Sequence, residues 1–200
     1  QVLKALMDLG EESNTLVVFL SEQGSNFPHC KWTCYDTGLR SAQLVRWPGV
    51  VKPGSEADAL VQYVDIAPTF IEAAGGDPKT IDFDGISLLG LLKGKTDKHS
   101  DYAFGIQTSR GIYSGPEAYG IRTVRNHRYR LIWNLNYESE FRNTVIARMP
   151  IYKSWAKGDD HAKEQHRRYR IRPEYELYDL LKDPYEMKNL ASNPESKATM

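Results

Sequence analysis

The sequence predicts an α/β layer followed by a smaller α+β part with antiparallel strands. A near-continuous apolar run, Asn14 to Leu20, has the composition of a strand buried on both faces, as in a parallel sheet. Up to about residue 95 the order is helix, strand, long loop, strand, helix, helix, which suits a parallel α/β layer. Beyond residue 100 come short strand-like segments whose alternation fits antiparallel pairing better than crossovers. The expected division is residues 1–98 as part of a main α/β domain and 99–200 as the smaller subdomain.

Val2 to Gly10 reads as the last turns of an amphipathic helix, with Gly10 as its stop. Its uncapped start at residue 1 suggests the C-terminal part of a longer protein. The second strand is Ser41 to Trp47, stopped by Pro48-Gly49, with a turn-rich stretch to Gly54. Asp65 is expected to cap a helix with Pro68 in its first turn and Gly75-Gly76 at its end. Asp84 to Leu92 reads as a second, short apolar helix. Tyr102–Thr108, Tyr119–Arg125 and Arg128–Leu135 read as strands, the last two joined by a tight turn at Asn126-His127. A polar helical region, Ser139 to Arg172, precedes a final strand, Glu176 to Leu180.

Twenty-six basic and 26 acidic side chains cancel over 200 residues, so the global field steers no particular partner and electrostatic arguments must be local. Residues 148–172 are locally basic: a solvated helix face, or a surface for a polyanionic glycan. No nucleic-acid-binding motif accompanies that charge, and nucleic acid is not expected as a partner. No segment reaches the roughly 20 apolar residues of a membrane span, so no membrane partner is expected either. The two cysteines, Cys30 and Cys34, are too few for a disulfide framework or a structural zinc site; a short-range disulfide between them stays open.

The chemistry concentrates after the first strand. Leu20-Ser21-Glu22-Gln23-Gly24-Ser25 sets a carboxylate beside a carboxamide at the carboxyl end of a strand, where α/β sheets place their ligands. Nine residues after Glu22 comes Lys31. Oxygen donors suited to a hard cation, next to a lysine, point to an anionic ester as the bound species. Asp36 and Arg40 read as a structural ion pair in the same loop. His161 and His166 are five apart, off the spacing that puts two imidazoles on one helix face, and read as surface residues.

These residues resemble those of type I sulfatases, members of the alkaline phosphatase superfamily. Asn14 to Gly24 resembles that family's strand and "TSDNG" or "TSDHG" loop. Lys31 to Arg40, with Leu44 to Gly49, resembles its "GKxxxYEGGxR…RWPG" segment. Val64 to Thr69 resembles "VDLAPT", and Asp84 to Leu89 resembles "DGxSLLPLL". Ile121 to Ile132 resembles the "RTxxYKYI" hairpin, and Glu176 to Leu190 resembles "ELYDLxxDPxExxNL".

The resemblance implies an α/β sulfatase-like fold and hydrolysis of sulfate esters, the substrate being a sulfated small molecule or glycan. It implies a divalent cation, usually Ca2+, and a formylglycine made from cysteine or serine. Glu22 and Gln23 match the positions of metal ligands, and Lys31 matches the lysine that binds the sulfate and leaving-group oxygens. His29 is a candidate to line the sulfate pocket, against a solvent-facing alternative. Arg110 is a candidate to clamp a substrate carboxylate or second sulfate. The formylglycine motif, Cys or Ser followed by x-Pro-x-Arg, occurs nowhere in the 200 residues, nor do the family's paired aspartates. Both are expected upstream, and the segment alone is expected to be inert. A phosphoester or phosphonate hydrolase and a non-catalytic sulfated-glycan-binding fragment remain alternatives. Family habit implies a periplasmic, secreted or lysosomal location.

Overall fold

The computed structural model describes residues 1–108 and 118–200. In chain order its helices and strands are α1 (Val2–Asp8), β1 (Val17–Leu20), α2 (Asp36–Leu39), β2 (Gln43–Arg46), α3 (Ile66–Ala73), α4 (Leu89–Leu92) and β3 (Ala103–Gln107), followed by β4 (Ile121–Arg125), β5 (Tyr129–Asn134), α5 (Thr144–Arg148), α6 (Pro150–Trp155), α7 (Asp160–Arg170) and β6 (Tyr175–Asp179). They group into two compact units. One comprises residues 1–21 and 42–103, the other residues 22–41 and 104–200. The loop between β1 and β2 therefore belongs with the C-terminal residues.

In the first unit, β1 pairs antiparallel with β2, with Val17 opposite Arg46 and Leu20 opposite Gln43. This corrects the expectation of a parallel strand buried on both faces. Phe19 and Leu44 face each other across the pair and are 58% and 65% exposed. A β-branched apolar run specifies extended backbone, but not the direction of the neighbouring strand.

Asp65 does not cap α3 with its side chain, contrary to expectation. It is a buried acceptor instead. Its carboxylate takes the Gln62 amide at 2.7 Å and the Ile86 amide at 2.9 Å, and lies 3.1 Å from His99 Nε2. The Thr69 hydroxyl donates to the Asp65 carbonyl and accepts the Leu88 amide at 2.8 Å. These bonds tie residues 86–88 to the start of α3, and the helix expected from Asp84 shrinks to α4. Gly85 makes the approach possible, because a Cβ there would lie 2.2 Å from the Val64 carbonyl oxygen.

In the second unit, four strands form a sheet in the order β3-β4-β5-β6. Antiparallel pairing sets Thr123 opposite Ile132 and Ile132 opposite Glu176. The β4–β5 turn centres on His127-Arg128, one residue later than expected. The Asn126 side-chain oxygen accepts the amides of Arg128 and Tyr129 and so fixes the turn from its first corner. Ile121, Ile132 and Tyr178 pack on Tyr119, Phe141, Ile146, Tyr152 and Tyr169 to form the core. The long polar helical region is three helices, each with its own start signal. Asn143 caps α5, Pro150 opens α6, and Asp159 caps α7.

Asp65→Ala leaves the part-buried Gln62 and Ile86 amides without their acceptor and removes the carboxylate beside the buried His99 imidazole. Unfolding by urea is expected to show a loss of about 2–4 kcal/mol. A loss below about 0.5 kcal/mol, the level of an ordinary surface substitution, would remove Asp65 as the hub of this unit.

Candidate active-site loop

Residues 22–41 fold on themselves before they meet anything else. Gly24 has φ +60, and a Cβ there would lie 2.9 Å from the Lys31 amide nitrogen. The Lys31 amide donates to the Ser25 carbonyl at 3.1 Å, so the two arms of the loop touch at this point. That crossing brings the Glu22 carboxylate and the Lys31 ammonium into an ion pair. Glu22 is largely exposed, whereas the Lys31 side chain is only 15% exposed and its Nζ lies 5.8 Å from the centre of the Trp32 ring. Gln23 is exposed.

His29 and Trp32 adopt the left-handed backbone region, at φ 61 and 65, which is costly for residues with a Cβ. Threonine hydroxyls compensate. Thr37 donates to the His29 carbonyl at 2.7 Å, and Thr33 donates to the Cys30 carbonyl at 2.6 Å. Gly38 closes the turn; a Cβ on it would lie 2.4 Å from the Cys30 carbonyl oxygen.

The loop is anchored to the sheet through its carboxyl half. Arg130 on β5, buried, reaches Asp36 at 2.8 Å and Glu186 at 3.0 Å, and donates to the Cys34 carbonyl at 3.1 Å. The Asp36 amide donates to Glu186 at 2.7 Å. Arg125 adds a second guanidinium to Asp36. The Asp36–Arg40 pair expected from sequence is secondary: the separation is 3.9 Å and the Arg40 side chain is exposed. Burial pushes the Glu186 carboxyl up to about 7, although Arg130 and the Asp36 amide pull it down.

A second anchor is aromatic. Arg172, 2% exposed, lies 3.9 Å from the centre of Phe141 and 5.2 Å from that of Tyr35. The Tyr35 hydroxyl donates to Glu176 at 2.8 Å, as does Tyr178 at 2.6 Å. The His29 imidazole packs against Tyr35 and Tyr169, each 5.3 Å away centre to centre. It is therefore not solvent-facing. Burial, reinforced by Arg172 and Arg168, lowers its pKa to about 3 and keeps it neutral. His166 is half-buried, with its ring 4.5 Å from that of Tyr152, and His161 is exposed. Cys30 and Cys34 are free thiols, and burial pushes Cys34 up to about 11.

The structure thus joins Glu22 to Lys31 and sends His29 into an aromatic cluster. Arg110 lies outside the described residues. Among the described residues, no group of three His, Cys, Asp or Glu side chains converges as a metal site, and no helix is long and apolar enough to cross a membrane. The supporting residues Arg130, Arg172, Glu176 and Glu186 were not singled out from sequence. Their signal was faint: two carboxylates inside the Glu176–Leu190 block, whose burial demands cationic or hydroxyl partners.

Comparison with known proteins identifies the family of the chain. The family model for the C-terminal region of N-sulphoglucosamine sulphohydrolase matches residues 27–151, more than half of the chain. The chain belongs to that sulfatase family. An ulvan-active sulfatase from Formosa agariphila is 36% identical over 199 residues, covering 99% of this chain and 37% of the relative. Among solved structures, a protein in complex with its substrate, D-glucosamine-2-N,6-O-disulfate, superimposes with a TM-score of 0.68 at 23% identity, covering 99% of this chain and 34% of that one. A phosphonate monoester hydrolase from Silicibacter pomeroyi superimposes with a TM-score of 0.67 at 21% identity, covering 99% and 35%. At those identities the likeness is one of fold. The chain spans about a third of the length of the proteins it matches.

The buried neutral His29 gives a signed pH dependence. Its folded pKa is depressed, so its contribution is present above the unfolded value near 6.5 and is lost as pH falls toward about 3. Within that window stability is expected to drop by up to about 1.4 kcal/mol per pH unit from this group. His29→Asn, which tolerates the left-handed backbone, should flatten that limb in urea titrations at several pH values. An unchanged limb would contradict the buried neutral imidazole.

Proposed function

We propose that the protein containing this chain is a sulfuric ester hydrolase acting on sulfated carbohydrate or aryl sulfate esters, and that the loop after β1 supplies part of its active site. The observation that carries the reading is the Lys31 ammonium, shielded and fixed on an anchored loop, in contact with the Glu22 carboxylate. Family membership and the sulfated substrate of a fold relative support the substrate class. The 200 residues carry no Cys/Ser-x-Pro-x-Arg motif; on this reading the nucleophile comes from elsewhere in the protein, and the isolated segment is not expected to turn over.

The donor set suits a hard cation. Glu22 offers a carboxylate and Gln23 a carboxamide oxygen, adjacent in sequence and both exposed. This fits two positions of the six to eight oxygens that Ca2+ takes, with the others contributed from elsewhere in the protein. Such a cation, when bound, supplies positive charge to sulfate oxygens. Lys31 does the remaining electrostatic work from this chain. Its backbone is pinned by the Ser25–Lys31 hydrogen bond and its ammonium rests against Glu22, from where it stabilises negative charge developing on the leaving oxygen with little reorganisation. The anchors at Asp36 and Tyr35 keep that charge in place. A periplasmic, secreted or lysosomal location accords with the reading.

Phosphonate monoester hydrolysis is the second reading, supported by the Silicibacter relative's fold. The full-length protein separates the two: release of inorganic sulfate from an N- or O-sulfated glucosamine favours the first, whereas turnover of phosphonate monoesters alone favours the second. In whichever assay is positive, Lys31→Ala is expected to lower kcat by at least about tenfold, with thermal unfolding unchanged. Wild-type turnover in the variant would remove Lys31 from the mechanism.

A further inference from the structure

The helices α5, α6 and α7 gather positive charge that the chain as a whole does not have. Between residues 139 and 172 stand nine Arg or Lys side chains and four Asp or Glu, although the full chain carries 26 of each sign. Three of the four carboxylates are committed within the region. Glu164 pairs with Arg167 at 2.7 Å, Glu140 is shared by Arg142 and Arg170, and Asp159 caps α7. Arg148, Lys153, Lys157 and Lys163 are exposed and, among the described residues, pair with no carboxylate. Helix electrostatics accounts for part of this set: Arg148 and Lys153 lie in last turns, where the dipole favours cations. Lys163 lies in the first turn of α7, where the dipole disfavours one. Lys157 sits in the turn between α6 and α7. Gly158 keeps that turn tight, because a Cβ on it would lie 2.7 Å from the Ala162 Cβ. The resulting helical hairpin borders the Lys31 loop. The His29 ring, two residues before Lys31, lies 5.3 Å from Tyr169 on α7 and 6.2 Å from Trp155 on α6, centre to centre.

We propose that the exposed face of α5–α7 is a binding surface for a sulfated polysaccharide, holding the chain whose sulfate ester is cleaved at the Lys31 loop. The inference rests on the reading of the protein as a hydrolase of sulfated carbohydrate and extends it from one sugar to a polymer. Unpaired cations beside a site for an anionic ester are complementary to a ligand that repeats the anion along its length. At 1.5 Å per residue α7 alone is roughly 16 Å long, more than one sugar ring spans, so its charges address neighbouring sugars of the same chain. Ammonium groups act as mobile point charges and accept sulfates at varied positions, whereas guanidinium forks favour one bidentate geometry. Such contacts raise the local concentration of substrate without touching the reacting bond. Nucleic acid fits this surface less well. Single strands are held by stacking on aromatic rings, and these helices expose no Phe, Tyr or Trp.

The test uses the full-length protein carrying Lys31→Ala, so that turnover does not consume the probes. Calorimetry measures binding of a heparin decasaccharide and of glucosamine-2-N,6-O-disulfate. The added substitutions Arg148→Gln, Lys153→Gln, Lys157→Gln and Lys163→Gln, made together, remove charge with little change in helix propensity. They are expected to weaken the decasaccharide by about tenfold or more and to leave the monosaccharide unaffected. Raising salt from about 50 to about 200 mM should weaken the decasaccharide strongly in the parent and far less in the Gln variant. The charge-retaining set Arg148→Lys, Lys153→Arg, Lys157→Arg and Lys163→Arg is expected to keep the parent affinity. Unchanged decasaccharide binding in the Gln variant overturns the proposal. Equal loss in the charge-retaining variant also overturns it, in favour of a packing effect on the helices. Equally tight binding of an oligothymidylate of the same charge overturns it in favour of a general polyanion surface. Failure here is distinguishable from failure of the hydrolase reading. Lysine-dependent decasaccharide binding by a protein that, with Lys31 intact, releases no sulfate sinks only the hydrolase reading. Sulfate release with decasaccharide binding indifferent to the four substitutions sinks only the polysaccharide surface.

Discussion

Arg130 between Asp36 and Glu186 is the interaction on which the candidate site depends. A guanidinium and two carboxylates withdrawn from water are stable only if each finds partners, and here every partner comes from a different stretch of chain. Asp36 belongs to the loop, Arg130 to the sheet and Glu186 to the C-terminal turn. Removing any one would leave a buried charge uncompensated, so the three segments must be ordered together. Glu186 itself sits in the left-handed backbone region at φ 56, and Arg168 holds its carbonyl at 3.0 Å. Backbone strain at that residue is tolerated because its side chain closes the cluster.

The aromatic cluster adds a second constraint of a different kind. Arg172 is stacked between rings rather than paired face to face with a carboxylate, and Glu176 is saturated by hydroxyls and an amide from Tyr35, Tyr178 and Asn134. Tyr35 therefore cannot rotate without stranding a buried carboxylate, and Lys31 lies one loop turn away from it. The position of Lys31 is thus inherited from Tyr35, Glu176 and their partners elsewhere in the second unit. Under the proposed function, that support is what lets a flexible side chain act as a fixed point charge.

The legible part of the fold was the part written in local pattern. The β4 and β5 alternation, the Pro150 and Asp159 start signals and the Pro48-Gly49 stop all appear in sequence because they satisfy their own backbone. The direction of β1 against β2 did not, since an apolar run serves parallel and antiparallel partners equally. Asp65 looked like a cap of α3 because an acidic residue ahead of a helix usually is one; its carboxylate instead takes the Gln62 amide in a capping box one turn earlier and the Ile86 amide, and only the second is a contact between segments that no local pattern encodes. In the site, Glu22 and Lys31 were visible through motif order. Their contact required Gly24, whose close approach to residue 31 becomes apparent only in three dimensions. The Arg130 and Arg172 clusters were invisible for the same reason: surface and buried arginines look alike in a sequence.

The most direct test of this account is amide hydrogen exchange across residues 29–38 in the full-length protein with Glu186→Ala. If the buried charge cluster fixes the loop, the Asp36 amide and the Lys31 segment should exchange about tenfold faster or more, while the β4–β5 ladder keeps its protection. Wild-type exchange rates in the loop would show that Lys31 is held by something other than the interaction on which the account is built.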